Sequence, residues 1–137
     1  MRNSIFKTVF VTFMFLLVSC NSKGQNPKKT TASNHTTSII QMIQFHSEHR
    51  CMTCNLIEKL TKEALQKYPA ISFTLINVDE KKNEKMAEKF EATGTALFLF
   101  NAKTGAKKDL TDFAFMNANS KPDVFKKGLE KEINAFK

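Results

Sequence analysis

The chain has no tryptophan and one tyrosine, so thirteen phenylalanines supply nearly all of its aromatic surface. With 42% hydrophobic residues in 137 positions, that is enough for one Phe-rich core plus a leader. No apolar run approaches the roughly 20 residues that a membrane-spanning helix requires. No internal repeat is present. Nor does any run of basic residues interleave with aromatics, which argues against a nucleic-acid partner despite a net charge of +8. That charge is unevenly distributed. Residues 1–38 hold five basic side chains (Arg2, Lys7, Lys23, Lys28, Lys29) and no acidic ones. Residues 39–137 hold sixteen basic and thirteen acidic, mixed in sign, as on a solvated surface. Cysteine is scarce too: there are three, an odd number that leaves at least one thiol to explain.

Cys20 is explained by the leader. Arg2 and Lys7 form a positive start, and Val9 to Val18 is an apolar stretch too short to span a bilayer. It ends in Leu17-Val18-Ser19-Cys20, which resembles a bacterial lipobox. The resemblance implies a lipoprotein signal peptide over residues 1–19 and a lipidated Cys20 as the mature N-terminus. It also implies a cell-envelope location, anchored by lipid and facing the periplasm. Asn21, where Asp would signal inner-membrane retention, favours the outer membrane. Residues 20–38 continue as a polar stretch of Asn, Lys, Thr and Ser that cannot bury a core. As a random coil it reaches about 25 Å, a tether between the lipid and a folded domain over residues 39–137. His35 within it is expected to be solvated.

That domain is organised around His46-Ser47-Glu48-His49-Arg50-Cys51-Met52-Thr53-Cys54. A short apolar run, Ile39 to Phe45, reads as a strand. Apolar residues then recur at Leu56, Ile57, Leu60, Ala64, Leu65 and Tyr68, the stripe of a helix from Met52 to about Tyr68 that Pro69 stops. Cys51 thus falls at a helix N-terminus, where unpaired N–H groups and a partial positive charge favour thiolate over thiol. Cys54 lies one turn on, close enough for a short-loop disulfide. Arg50 and His49 are expected to add positive charge. The arrangement assigns Cys51 as the exposed, low-pKa nucleophile and Cys54 as its resolving partner.

Further along, Ile71 to Val78 reads as a second strand and about Lys81 to Glu91 as a helix with Met86, Ala87 and Phe90 inward. Leu97 to Phe100 reads as a central strand, and Thr104-Gly105 as a turn into an edge strand over about 106–113. Ser120 and Asp123 resemble a capping box before a final helix striped by Phe125, Leu129, Ile133 and Phe136. The order β-α-β-α-β-β-α makes the first two strands parallel with a right-handed crossover and the last two a hairpin, with helices on both faces.

This order, with Cys-x-x-Cys after the first strand, is similar to the core of the thioredoxin-like superfamily. Ile76 to Asp79, Met86 to Phe90 and Ala92 to Phe100 extend the resemblance in spacing and residue type. It implies a three-layer α/β/α sandwich with a central four-stranded mixed sheet, and a thiol–disulfide oxidoreductase acting through Cys51 and Cys54. The loop residues Thr95 and Ala96 would support the site. The redox-active disulfide would be its only cofactor, and its partners would be periplasmic or membrane protein thiols and disulfides. We expect a monomer. The stretch Thr111 to Asn117 also resembles small bacterial thioredoxin-like lipoproteins, some labelled nitrophenyl-compound nitroreductase subunits or arsenic-associated proteins.

The chain departs from the superfamily pattern at three places. Ala96 stands where a cis-proline normally faces the disulfide, and since a non-proline cis bond costs about 3 kcal/mol, a trans bond is expected there. His49-Arg50 replaces the usual aromatic before the motif. Gln44, which cannot titrate, stands nearest to the position of a buried, proton-moving Asp.

The same residues allow a second chemistry. Cys51, Cys54, His46 and His49 together offer two thiolates and two imidazoles, a donor set for tetrahedral zinc, and the two thiolates alone suit Cu(I) or trivalent arsenic. In that alternative the chain is a metal- or metalloid-binding or accessory subunit with little turnover. Two other motifs are excluded. His46-Ser47-Glu48 lies only two residues before Cys51, too close for a zinc deaminase. Met52-Thr53-Cys54 lacks the second cysteine of a copper-chaperone loop, because position 57 is Ile. Hydrolysis by Cys51 with His49 as base has neither an orienting group nor an oxyanion loop.

The leader generates the first prediction. A metabolically supplied fatty-acid analogue labels the wild type and fails to label Cys20→Ser; label retained in that variant refutes the anchor.

Overall fold

The computed structural model describes residues 39–136. The expected signal peptide (1–19) and the expected lipidated Cys20 and tether (20–38) lie outside the described residues. Four strands form one sheet: β1 (Ile40–His46), β2 (Ser72–Asn77), β3 (Ala96–Asn101) and β4 (Lys107–Asp109), in the order β2-β1-β3-β4. β1 runs parallel to β2, with Phe45 opposite Ile76, and antiparallel to β3, with Phe45 opposite Ala96. β3 and β4 pair antiparallel. The helices are α1 (Met52–Leu65), α2 (Glu84–Phe90), α3 (Thr111–Ala118) and α4 (Pro122–Phe136).

The central strand explains the layering. Met42, Ile43, Gln44 and Phe45 are consecutive and all buried, which requires cover on both faces of the sheet. Alternation divides them. Met42 joins Leu97 and Leu99 against α1, α3 and α4, through Ile57, Ala114 and Leu129 among others. Ile43 and Phe45 join Ile76, Phe98 and Phe100 against Phe90 of α2. Four of the phenylalanines pack as one cluster, with Phe90 5.1 Å from Phe98 and 5.3 Å from Phe45 between ring centroids. Such tilted and edge-on contacts suit the charge distribution of aromatic rings. The three-layer α/β/α sandwich with a four-stranded mixed sheet is present as the sequence implied.

The element ends differ from expectation in instructive ways. Regular α1 stops at Leu65. Gln66, Lys67 and Tyr68 then donate their N–H groups to carbonyls three residues back, a tightened turn that delivers the chain to Pro69. The helix expected from Lys81 begins as a 3-10 turn, Lys81–Asn83, before α2. Glu91 closes α2 with φ of 55°: Ala92 N–H reaches Ala87 O at 2.9 Å and Glu91 N–H reaches Glu88 O at 3.0 Å. That is a Schellman ending with glutamate where glycine would be unstrained.

Two expectations are corrected. The edge strand ends at Asp109, and residues 111–118 form α3, an element the strand reading omitted. The Asp109 carboxylate accepts the Thr111 N–H at 2.8 Å and turns the chain out of the sheet. α3 then buries small residues, Ala114 and Ala118, so no large apolar stripe announced it. Close approach to α4 is completed by Gly128, where a Cβ would stand 2.5 Å from the Phe113 ring. The capping box does not form either. Ser120 Oγ donates backwards to Met116 O at 3.5 Å, and α4 starts at Pro122, whose missing N–H costs nothing in the first turn.

Because Phe45 is fully buried between Phe90 and Phe98, Phe45→Ala should destabilise the domain by about 3–5 kcal/mol, read as a lowered urea midpoint at unchanged slope.

Candidate functional site

β1 delivers the chain to the site through a loop, residues 47–50, at the end where β1 and β2 both finish. The loop is tied down by Glu48 N–H donating to the Asp79 carboxylate at 2.7 Å, just past β2. Cys51 follows in an extended conformation (φ −76°, ψ 166°) and caps α1. Its sulfur accepts the Cys54 N–H at 3.3 Å, occupying one of the unpaired donors of the helix start. No acidic residue lies in the first turn to repel a thiolate. Cys51 is exposed; Cys54, on the inward stripe of α1, is 5% exposed. Both are free thiols.

The Cys51 pKa is held below that of an ordinary thiol. The main cause is a hydrogen bond from the Cys54 side chain, followed by the Cys54 N–H. Desolvation opposes them, and the N–H groups of Thr53 and Cys51 add to the lowering. These are neutral donors, so the expected contribution from Arg50 and His49 is absent. Arg50 instead pairs with Glu58 at 2.6 Å. Glu58, also bound by Lys62, is held below the usual carboxylate range: partial burial works against this, but hydrogen bonds from Lys62 and Arg50 prevail. His49 is exposed in the loop.

The histidines are not gathered around the sulfurs. His46 Nδ1–H donates to Ser47 O at 2.9 Å, which engages one ring nitrogen with its own backbone. Among the described residues, no group of three or more His, Cys, Asp or Glu side chains is placed to hold a metal ion. The four-ligand set of Cys51, Cys54, His46 and His49 is therefore not assembled.

Behind the pair, Cys54 is held from two sides. The Gln44 amide donates to Cys54 O at 2.9 Å from a fully buried position on β1. Thr95, in the loop before β3, places its hydroxyl 3.0 Å from Cys54 Sγ. The Thr95–Ala96 bond is trans, as the alanine led us to expect. Thr95 and Ala96 also line an open cleft of about 600 Å³ between the end of α2 and β4, together with Thr93, Lys107, Asp109 and Thr111. Three supporting contacts were not foreseen: Glu58 for Arg50, Asp79 for the loop, and Gln44 for Cys54 O. Gln44 was already placed beneath the pair by the superfamily pattern and Glu58 had its i,i+4 spacing to Lys62, but neither signal named the contact to Cys54 O or to Arg50.

This geometry predicts that Cys51 is alkylated well before Cys54 in the reduced protein. The rate should rise with pH to a midpoint below that of a free cysteine, measured by titrating alkylation with each thiol mapped by peptide mass. A folded-state pKa below the unfolded one means that reduced protein gains stability as pH rises through the folded value, and loses it as pH falls below.

No family model matches the chain, and no curated protein sequence does. Among solved structures it is similar to thioredoxin O2 from Arabidopsis thaliana, at 25% identity over 52% of this chain and 60% of that one, TM-score 0.43. It is also similar to mitochondrial thioredoxin 3 from Saccharomyces cerevisiae, at 22% identity over 69% and 80% of the two chains, TM-score 0.46. A third is Fasciola hepatica thioredoxin, at 20% identity over 53% and 65%, TM-score 0.42. The chain thus spans less than two thirds of the first and third of these. Its sheet order β2-β1-β3-β4, with a parallel β1–β2 crossover through α1 and a Cys-x-x-Cys pair opening that helix, is a thioredoxin-like fold.

Proposed function

We propose that this chain is a thiol–disulfide oxidoreductase of the cell envelope, tethered by lipid on Cys20 and facing the periplasm. The observation that carries the reading is the inequality of the two thiols. Cys51 is exposed, caps α1 and ionises readily; Cys54 is buried one turn behind it. An attacking thiol needs access and thiolate character, and a resolving thiol needs protection from solvent reagents until its partner is engaged.

The chemistry is a two-step exchange. Cys51 thiolate attacks one sulfur of a substrate disulfide, forming a mixed disulfide and releasing the other sulfur as thiolate. Cys54, deprotonated, then attacks Cys51 Sγ, the mixed bond breaks, and the second substrate thiolate departs. The substrate gains two electrons and the pair becomes a disulfide; run in reverse, the same steps oxidise a substrate dithiol. An oxidising compartment lets such a pair cycle, which is where the leader sends the protein. Protein thiols and disulfides of the periplasm or membrane are the expected partners.

A Cys54→Ser variant should trap mixed disulfides with envelope proteins through Cys51, visible as thiol-sensitive high-mass bands that vanish when Cys51→Ser is added. If no partner is trapped, and purified wild type holds stoichiometric zinc or copper that the variant loses, the pair is a soft-metal binder instead.

A further inference from the structure

The exchange chemistry leaves one proton without a carrier. Cys54 must lose its proton to attack, yet it is 5% exposed and the buried neighbour from β1 is Gln44, an amide bound to Cys54 O. Besides Cys51, the polar neighbour of the sulfur is the Thr95 hydroxyl at 3.0 Å. We propose that Thr95 is the proton carrier for the resolving thiol, standing in for the titratable group that this core lacks. The inference rests on the exchange reading above.

The hydrogen bonds support it. In the reduced protein the Cys54 side chain is hydrogen-bonded to Cys51, and at 3.0 Å the Thr95 hydroxyl can either donate to Cys54 Sγ or accept from it. Once Cys51 is bonded to substrate sulfur, it no longer needs that hydrogen bond. Cys54 S–H then turns to Thr95 Oγ1, and Thr95 in turn faces the open cleft lined by Thr93, Asp109 and Thr111. A hydroxyl both donates and accepts, so it takes the thiol proton while passing its own to solvent in that cleft. The S–S bond forms between Cys54 and Cys51, the bond from Cys51 to the substrate sulfur breaks with its electron pair on that sulfur, and the net proton leaves through Thr95. The hydroxyl afterwards donates to the developing Cys54 thiolate, a charge-assisted bond. Valine has the same shape and neither capability.

The titratable groups around this path are few. Cys51 caps the same helix; Glu91, Lys107 and Asp109 line the cleft; β1 sets the non-titrating Gln44 against Cys54 and ends at His46, whose Nδ1 is bonded to Ser47 O.

The test uses a symmetric nitroaryl disulfide, whose released thiolate is coloured, mixed in equimolar amount with the reduced protein. Attack by Cys51 releases the first coloured thiolate and resolution by Cys54 the second, giving two phases in one trace. We expect Thr95→Val to leave the first phase unchanged and to slow the second by about ten- to a hundredfold, the size of a lost hydrogen bond to a charged group. Its second-phase pH profile should move to higher pH, and Thr95→Ser should restore both. Three results overturn the proposal: an unchanged second phase in Thr95→Val, equal slowing of both phases, or no rescue by serine. Because the probe is a small reagent, this outcome is independent of whether envelope partners are trapped by Cys54→Ser. Loss of that trapping would remove the physiological exchange reading without touching the rate comparison.

Discussion

Two parallel strands cannot be joined by a tight turn, and the pairing of β1 with β2 is the constraint from which the site follows. The connection must cross one face of the sheet, and α1 is that crossing. A helix that returns antiparallel to β1 has to begin at the end where β1 finishes. The N-terminus of α1, with its unpaired N–H groups, is therefore placed at the C-terminal edge of the two parallel strands. There the ends of β1 and β2 and the loop entering β3 converge. Cys51 caps the helix at that edge, and Cys54 falls one turn inward, against β1 and the loop before β3. Exposure of one sulfur and burial of the other is thus a consequence of strand direction and helical pitch.

Electrostatics at the site runs on neutral groups. Arg50 looked like the activating cation, being the residue before Cys51, but its guanidinium is engaged with Glu58, which Lys62 also binds. A cation already paired with a carboxylate contributes little field to a third group. What favours the Cys51 thiolate is the Cys54 thiol and the N–H groups of the first turn, all in direct contact. Arg50, for its part, fastens the loop to the second turn of α1, a mechanical role in place of an electrostatic one.

The legible parts of the sequence were those where burial writes a period. The apolar run of β1, the stripe of α1 and the stripe Phe125, Leu129, Ile133 of α4 each reflect a large surface that must leave water, and each was located within a few residues. α3 was not legible because its buried face is Ala114 and Ala118, while Phe115 and Met116 point outward. A helix that packs by close approach needs small side chains, and small side chains carry no strong hydrophobic signal. The Ser120–Asp123 pattern failed for a different reason: a serine hydroxyl has two backbones within reach, and here it bonds the helix behind it. At the site, the cysteines were legible from spacing alone. Their supports, Gln44, Glu58 and Asp79, come from separate elements and meet only in three dimensions.

The floor of the site shows what kind of core this sequence has chosen. A buried carboxylate beneath Cys54 would need either a partner or a raised pKa, since an isolated buried charge is costly. Gln44 avoids that cost, but not entirely: its Nε2 is satisfied by Cys54 O, while its Oε1 has no partner among the described residues. An unpaired buried carbonyl of this kind costs about 1–3 kcal/mol. The compensation lies in position, because the bond to Cys54 O anchors the first turn of α1 to the central strand. A neutral floor also places no negative charge under Cys54. The proton, however, has no buried base to receive it, and the loop side of the pair, at Thr95 and Ala96, borders the open cleft. Gln44 below offers the proton no titratable acceptor, whereas Thr95 beside the pair touches both Cys54 Sγ and the cleft.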